Sequence, residues 1–158
     1  MPFLIAQSLD LWQLNPNNIV LEVIESGFLT DEEFANHTLT QLISLGCKIA
    51  LDDFGTGYSS MLRLRDMPVH LVKIDQSFIR NVAESDQDAA IVRAIISLCG
   101  TFGKEVIAEG IENEACLEVL TKMQCQKLQG YFYSKPLPQA AFTQWFTEFS
   151  QKTIPSKL

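Results

Sequence analysis

No stretch of the chain approaches the roughly 18 consecutive apolar residues of a membrane-spanning helix, and the opening MPFLIAQSL has no basic n-region before its short apolar run. Both absences point to a soluble protein of the cytoplasm, although a longer relative would be free to carry a membrane segment elsewhere. Basic residues are scarce: 12 Lys and Arg stand against 19 Asp and Glu, a net charge of −7. Such a chain is not drawn to duplex nucleic acid, whose backbone demands clustered Lys and Arg. An acidic chain still binds a nucleotide where metal ions supply the positive charge. There are four cysteines, Cys47, Cys99, Cys116 and Cys125, and none stands in a CxxC pair. This spacing speaks against structural zinc and for reduced thiols. The two histidines, His37 within a predicted helix and His70 before a predicted strand, lack ligand spacing and read as structural or exposed. Low-complexity linkers are also missing. With 47% apolar residues over 158 positions, the chain is globular and long enough for one domain.

What is present is alternation. β-rich runs are predicted at Ile19–Val23, Lys48–Leu51, Leu71–Ile74, Val106–Ala108 and Lys127–Leu128. Between them lie helical patterns. The first opens at Thr30 with Glu33 as a capping-box partner and stops at Gly46. Others are expected at Ser59–Arg65, at Asp86–Phe102 with Ile91, Ile95, Leu98 and Phe102 on one stripe, at Glu114–Met123 behind an Asn113 cap, and at Gln139–Phe149. Phe142, Trp145, Phe146 and Phe149 read as the buried face of that last helix, and the aromatics of Tyr131–Tyr133 as core. Strands alternating with helices imply an α/β fold with a parallel sheet, either open and doubly wound or closed as a barrel.

The polar residues discriminate. Ionisable or amide residues stand at or just past each strand end: Glu22 and Glu25, Asp52 and Asp53, Lys73 and Asp75, Glu109 and Glu112, and Gln129. In a β/α barrel the reactive groups come from the C-terminal ends of several strands. Carboxylates gathered there would repel by about 4 kcal/mol per pair near 4 Å at an effective dielectric of about 20. Bound cations relieve that repulsion, and carboxylates with an amide are hard oxygen donors suited to Mg²⁺ or Mn²⁺. Each element alone also has a plain reading: a turn for Asp-Asp-Phe-Gly, solvated strand ends for Glu22 and Glu25, a surface position for Lys73, a helix start for Glu109 and Glu112.

Together the strings LEVIES, DDFGTGYSS, VKID, AEGIE and QGYFYSKP, in this order, resemble the EAL domain of cyclic-di-GMP phosphodiesterases, over residues 1 to 149. The separations also resemble the family's: 30 residues from Glu22 to Asp52, 21 to Lys73, 36 to Glu109 and 20 to Gln129. The resemblance implies a partial β/α barrel, supplying strands four to eight of a modified eight-stranded barrel, with residues 150–158 as a tail. It implies two Mg²⁺ or Mn²⁺ ions held by Glu22, Asp52, Asp53 and Glu109, with Asp52 bridging. Lys73 would contact the attacking water or the phosphate, and Glu109 would bind the second ion or act as base. Glu112 and Gln129 would hold the metal shell and substrate. Glu25 would anchor the loop of Phe54, Gly55, Thr56 and Gly57, which in relatives links the metal site to dimerisation.

Two departures stand out. Ile24 occupies a position where the family usually has Thr, and no Glu-Ala-Leu string occurs in the chain. That motif and an Asn ligand on the next strand are expected before residue 1, and a β/α barrel takes about 250 residues. The expectation is therefore a truncated phosphodiesterase domain, inactive in isolation, that joins a missing N-terminal half or self-associates. The alternative is a non-catalytic descendant that binds a partner or nucleotide in the same signalling system.

Overall fold

In the computed structural model of the protein, residues 1–24, 32–55 and 61–153 are described. Helix α1 (Pro2–Leu11) leads through a single 3-10 turn (Pro16–Asn18) into β1 (Val20–Ile24). Then follow α2 (Glu32–Ser44), β2 (Lys48–Phe54), α3 (Met61–Asp66), β3 (Leu71–Ile74), α4 (Gln76–Ile79), α5 (Asp86–Thr101), β4 (Glu105–Ala108), α6 (Glu114–Lys122), β5 (Lys127–Leu128) and α7 (Gln139–Thr153). Among the described residues the strands form one sheet in the order β1-β2-β3-β4-β5, every pair parallel. This is the expected α/β arrangement of successive strand–helix units. The sheet is open, with β1 and β5 at its edges.

Register decides which residues share a face. Glu22 pairs with Ala50, Ala50 with Leu71, and Leu71 with Glu105. Partnered residues in a parallel sheet point the same way, and side chains alternate with period two. The opposite set, Ile49, Leu51, Val72, Ile74, Val106 and Ala108, is buried to 1% exposure or less. These residues join Leu42, Leu64, Ile79, Val92 and Leu120 from the helices in one core. The face carrying Glu22 is more open: Val20 and Ile24, on either side of it, are exposed.

Several elements differ from expectation. Helix α1 was not anticipated, because its apolar residues Phe3, Leu4, Ile5, Leu9 and Leu11 form no single stripe and none is buried. The buried stripe of α5 is Val92, Ile95, Ile96 and Cys99. It lies about one residue round from the one predicted, so Ile91, Leu98 and Phe102 are only half-buried. Helix α7 runs four residues past its predicted end, to Thr153. Its aromatic stripe is not a buried face. Trp145 stacks on Phe149 at 5.0 Å, and Phe149 meets Tyr133 edge-on, but Phe142 and Phe146 are 49% and 55% exposed. Tyr131 and Phe132 are exposed too, and of the three aromatics after Gln129 only Tyr133 packs, half-buried, against the core. A helix buries a face only where another element opposes it, and beyond the two-residue edge strand β5 the open sheet offers little. The start of α2 at Thr30 and the loop residues Thr56 and Gly57 lie outside the described residues, as does Glu25.

The four cysteines are free thiols, and burial pushes that of Cys99 up to about 11. Asn113 caps α6 by accepting from the Cys116 N–H. His37 bonds Gln41 one turn along α2, and His70 accepts from the Ile49 N–H at 3.2 Å. No described helix is long and apolar enough to cross a membrane.

Candidate metal and phosphate site

The C-terminal ends of the strands converge on a lysine. Lys73, in β3, is 4% exposed and so is no surface residue. Its Nζ donates to Glu22 Oε2 from β1 at 2.8 Å, to Asp52 Oδ1 from β2 at 2.9 Å and to Glu109 Oε1 just past β4 at 2.8 Å. An ammonium has three donors, and here each meets a carboxylate. Burying a charge is costly unless it is paired and hydrogen-bonded. Burial alone would lower the Lys73 pKa, but the bonds to Glu109, Glu22 and Asp52 override it and hold the pKa above that of an ordinary lysine.

Register explains the convergence. Lys73 pairs with Ile107, and Glu109 stands two residues beyond Ile107 on the same face. The Glu109 N–H also donates to the Ile74 carbonyl at 3.2 Å, which ties the end of β4 to β3. Glu22 lies one strand further away and meets Lys73 across β2, by virtue of the long lysine stem.

Asp53 is the residue that alternation alone would misplace. Neighbours on a strand point to opposite faces, so Asp52 and Asp53 should diverge. The β2–β3 pairing shifts register between Leu51 and Phe54, and Asp53 has φ +55°. A bulge of this kind re-aims a side chain. The result is a group of three carboxylates, Asp52, Asp53 and Glu109, with one oxygen of each within 4.8 Å of the others. The Asp53 N–H in turn donates to Asp52 Oδ1 at 3.1 Å. Three hard oxygen donors from two strand ends fit a divalent cation such as Mg²⁺ or Mn²⁺.

Two glycines hold the rim in shape. Gly55 has φ +103°, and a Cβ there would lie 2.8 Å from the Phe78 ring, so the chain after Phe54 passes directly over α4. A Cβ on Gly130 would fall 2.1 Å from the Ile111 carbonyl oxygen. Ile111 donates to the Gln129 carbonyl, and Phe132 donates back to that of Ile111. The loops carrying Glu112 and Gln129 are thereby stitched together.

Of the residues predicted for the site, Glu22, Asp52, Lys73 and Glu109 are brought into direct contact, and Asp53 joins through the bulge. Glu112 and Gln129 stand exposed on the same rim, outside the lysine-centred cluster. Phe54 is buried and Gly55 half-buried beside the cluster, lining an apolar cavity of about 630 Å³ with Met61, Phe78, Ile91 and Leu98. Asp75, another strand-end carboxylate, caps α4 by accepting from Ser77, which lowers its pKa. Sequence reasoning had no means to see that Lys73 links three strands, since each of its partners lies at least 21 residues away.

A parallel strand–helix sheet with a buried lysine and carboxylates gathered at the C-terminal ends of its strands has its polar cluster where β/α-barrel proteins place their reactive groups. The family model of the EAL domain matches residues 3–136, and the chain belongs to that family. MucR of Pseudomonas aeruginosa, a bifunctional diguanylate cyclase/cyclic di-GMP phosphodiesterase, is 44% identical over 125 residues. The match covers 79% of this chain and 18% of MucR, so the chain spans less than a fifth of that relative's length. Among solved structures, the PaMucR phosphodiesterase in its c-di-GMP complex matches with TM-score 0.81 and 41% identity, over 86% of this chain and 55% of that one. Klebsiella pneumoniae BlrP1, in a manganese/cy-diGMP complex, matches with TM-score 0.78 and 30% identity, over 84% of this chain and 34% of its own.

Proposed function

We propose that residues 1–149 form the C-terminal wall of a cyclic-di-GMP phosphodiesterase site, which opens the cyclic dinucleotide to linear pGpG. The observation that carries this reading is Lys73, a buried cation bonded to carboxylates from three strands at the rim where barrel enzymes place their chemistry. The PaMucR and BlrP1 structures support it, since both are cyclic-di-GMP complexes and the second is also a manganese complex.

Glu22, Asp52, Asp53 and Glu109 are the residues that would hold two Mg²⁺ or Mn²⁺ ions, with Asp52 shared between them. Such ions, when bound, polarise the phosphoryl oxygens and lower the pKa of water. The chain's own groups do the rest. Lys73 presents a fixed positive charge to the phosphate or to the attacking water. Glu109, one strand over, either completes the ion shell or takes the proton. Glu112 and Gln129, exposed on the same rim, position the substrate. Glu25 anchors the loop of Phe54, Gly55, Thr56 and Gly57.

The sheet ends at β1 and β5, so two ladder edges are unpaired among the described residues. Parallel sheets are normally covered and paired on both sides. The partner this geometry asks for is the remaining strands of a barrel, and the 158-residue chain alone is inactive on this reading. The test is a transplant, with residues 1–149 replacing the matching stretch of the PaMucR phosphodiesterase. The transplant is expected to make pGpG with Mn²⁺ and to lose this in Glu109→Ala, while the isolated chain makes none. A folded transplant that binds cyclic-di-GMP but makes no pGpG would contradict the proposal. So would pGpG made by the isolated chain and abolished in its own Glu109→Ala variant.

A further inference from the structure

Asp52 and Glu109 belong to two sets at once. Each accepts a hydrogen bond from Lys73, and each contributes an oxygen to the group of three carboxylates with Asp53. The ammonium is buried, with its three donors already spent on three carboxylates, whereas the Glu22 side chain is 50% exposed and those of Asp52 and Glu109 are 22% and 17% exposed. The carboxylates are thus open to an arriving ion from the solvent side while the lysine grips them from below. A divalent cation wants several of these oxygens within about 2.0–2.2 Å, and an ammonium a few ångströms away repels it.

Resting on the reading of the rim as a metal site, we propose that Lys73 is a built-in counter-ion that competes with the divalent ion for Asp52 and Glu109, so that loading the ion and releasing the lysine are one exchange. Before the exchange, Lys73 keeps acidic side chains from separate strands together against their mutual repulsion. After it, Lys73 has donors free for a phosphate oxygen. Metal binding thereby arms the lysine: a chain without its ion offers the phosphate a cation whose donors are already in use.

The competition has a sign that a purely structural or purely ligand-assisting lysine would not produce. Removing Lys73 should tighten Mn²⁺ binding. The measurement is Mn²⁺ titration of the 158-residue chain, read from the loss of the free-ion electron paramagnetic resonance signal, for wild type, Lys73→Met and Lys73→Gln. Lys73→Gln keeps two hydrogen-bond donors and serves where Lys73→Met does not fold. Lys122→Met, at an exposed helix pair with Glu118, removes the same charge away from the rim. At least tenfold tighter Mn²⁺ binding in a folded Lys73 variant, with Lys122→Met within twofold of wild type, is the expected result. Wild type that binds Mn²⁺ as tightly as the Lys73 variants, or more tightly, overturns the inference alone. Mn²⁺ binding by none of the proteins overturns the metal reading and the inference with it.

Discussion

Asp53 follows Asp52 directly, yet both carboxylates face Glu109, because Asp53 sits at φ +55° where the β2–β3 register shifts. Left-handed backbone costs an ordinary residue about 1–2 kcal/mol, and Asp and Asn tolerate it better than most. Asp53→Asn should therefore unfold in urea near the wild-type midpoint, while Asp53→Val, branched at Cβ, should lose about 1–2 kcal/mol. Equal midpoints for the two variants would show that the turn at Asp53 is not what holds it in the cluster.

Gly130 and Gly100 should respond to alanine in opposite directions. A Cβ at Gly130 collides with the Ile111 backbone, whereas one at Gly100, in the last turn of α5, meets nothing within 4 Å. Gly130→Ala should cost on the order of 2–3 kcal/mol, as forced overpacking does. Gly100→Ala should gain about 0.5–1 kcal/mol from helix propensity. Thermal unfolding midpoints measure both, and a Gly130→Ala variant as stable as wild type would refute the close approach of the two rim loops.

The second buried lysine gives a pH dependence. Lys104 is 7% exposed and donates to the carbonyls of Met67 and Val69 at 2.8 and 3.2 Å. Burial lowers its pKa below the ordinary value, as carbonyls compensate its charge less than carboxylates do. The unfolded chain therefore holds this proton more tightly than the folded one. Folding stability should rise with pH between the lowered pKa and the unfolded value of about 10.4. Measured against Lys104→Met by urea unfolding, wild type should gain stability across that alkaline window. A flat or falling difference would show that the site does not penalise the charged form.

Much of the architecture was legible because it is local. The strand–helix alternation, the Gly46 stop, the Asn113 cap and the placing of polar residues at strand ends all reside in short stretches of sequence. What stayed hidden is non-local. The bulge that turns Asp53 toward Glu109 depends on how β2 meets β3, and the burial of Lys73 depends on three strands at once. Phe142 and Phe146 looked like core because their spacing is helical. Spacing gives a face but not what lies opposite it, and here they remain exposed. Helix α4 has four residues, too few for a periodic signal.

The measurement that bears most directly on the site is Mn²⁺ binding by calorimetry in the transplant that joins residues 1–149 to the rest of a barrel. Asp52 belongs to both the lysine-centred cluster and the three-carboxylate group, whereas His37 lies exposed on α2 beside Gln41. Asp52→Asn should weaken Mn²⁺ binding by a factor of ten or more, about 1.4 kcal/mol or above, and His37→Ala should leave it unchanged. Equal Mn²⁺ affinity in the two variants would contradict the claim that these strand ends form a metal site.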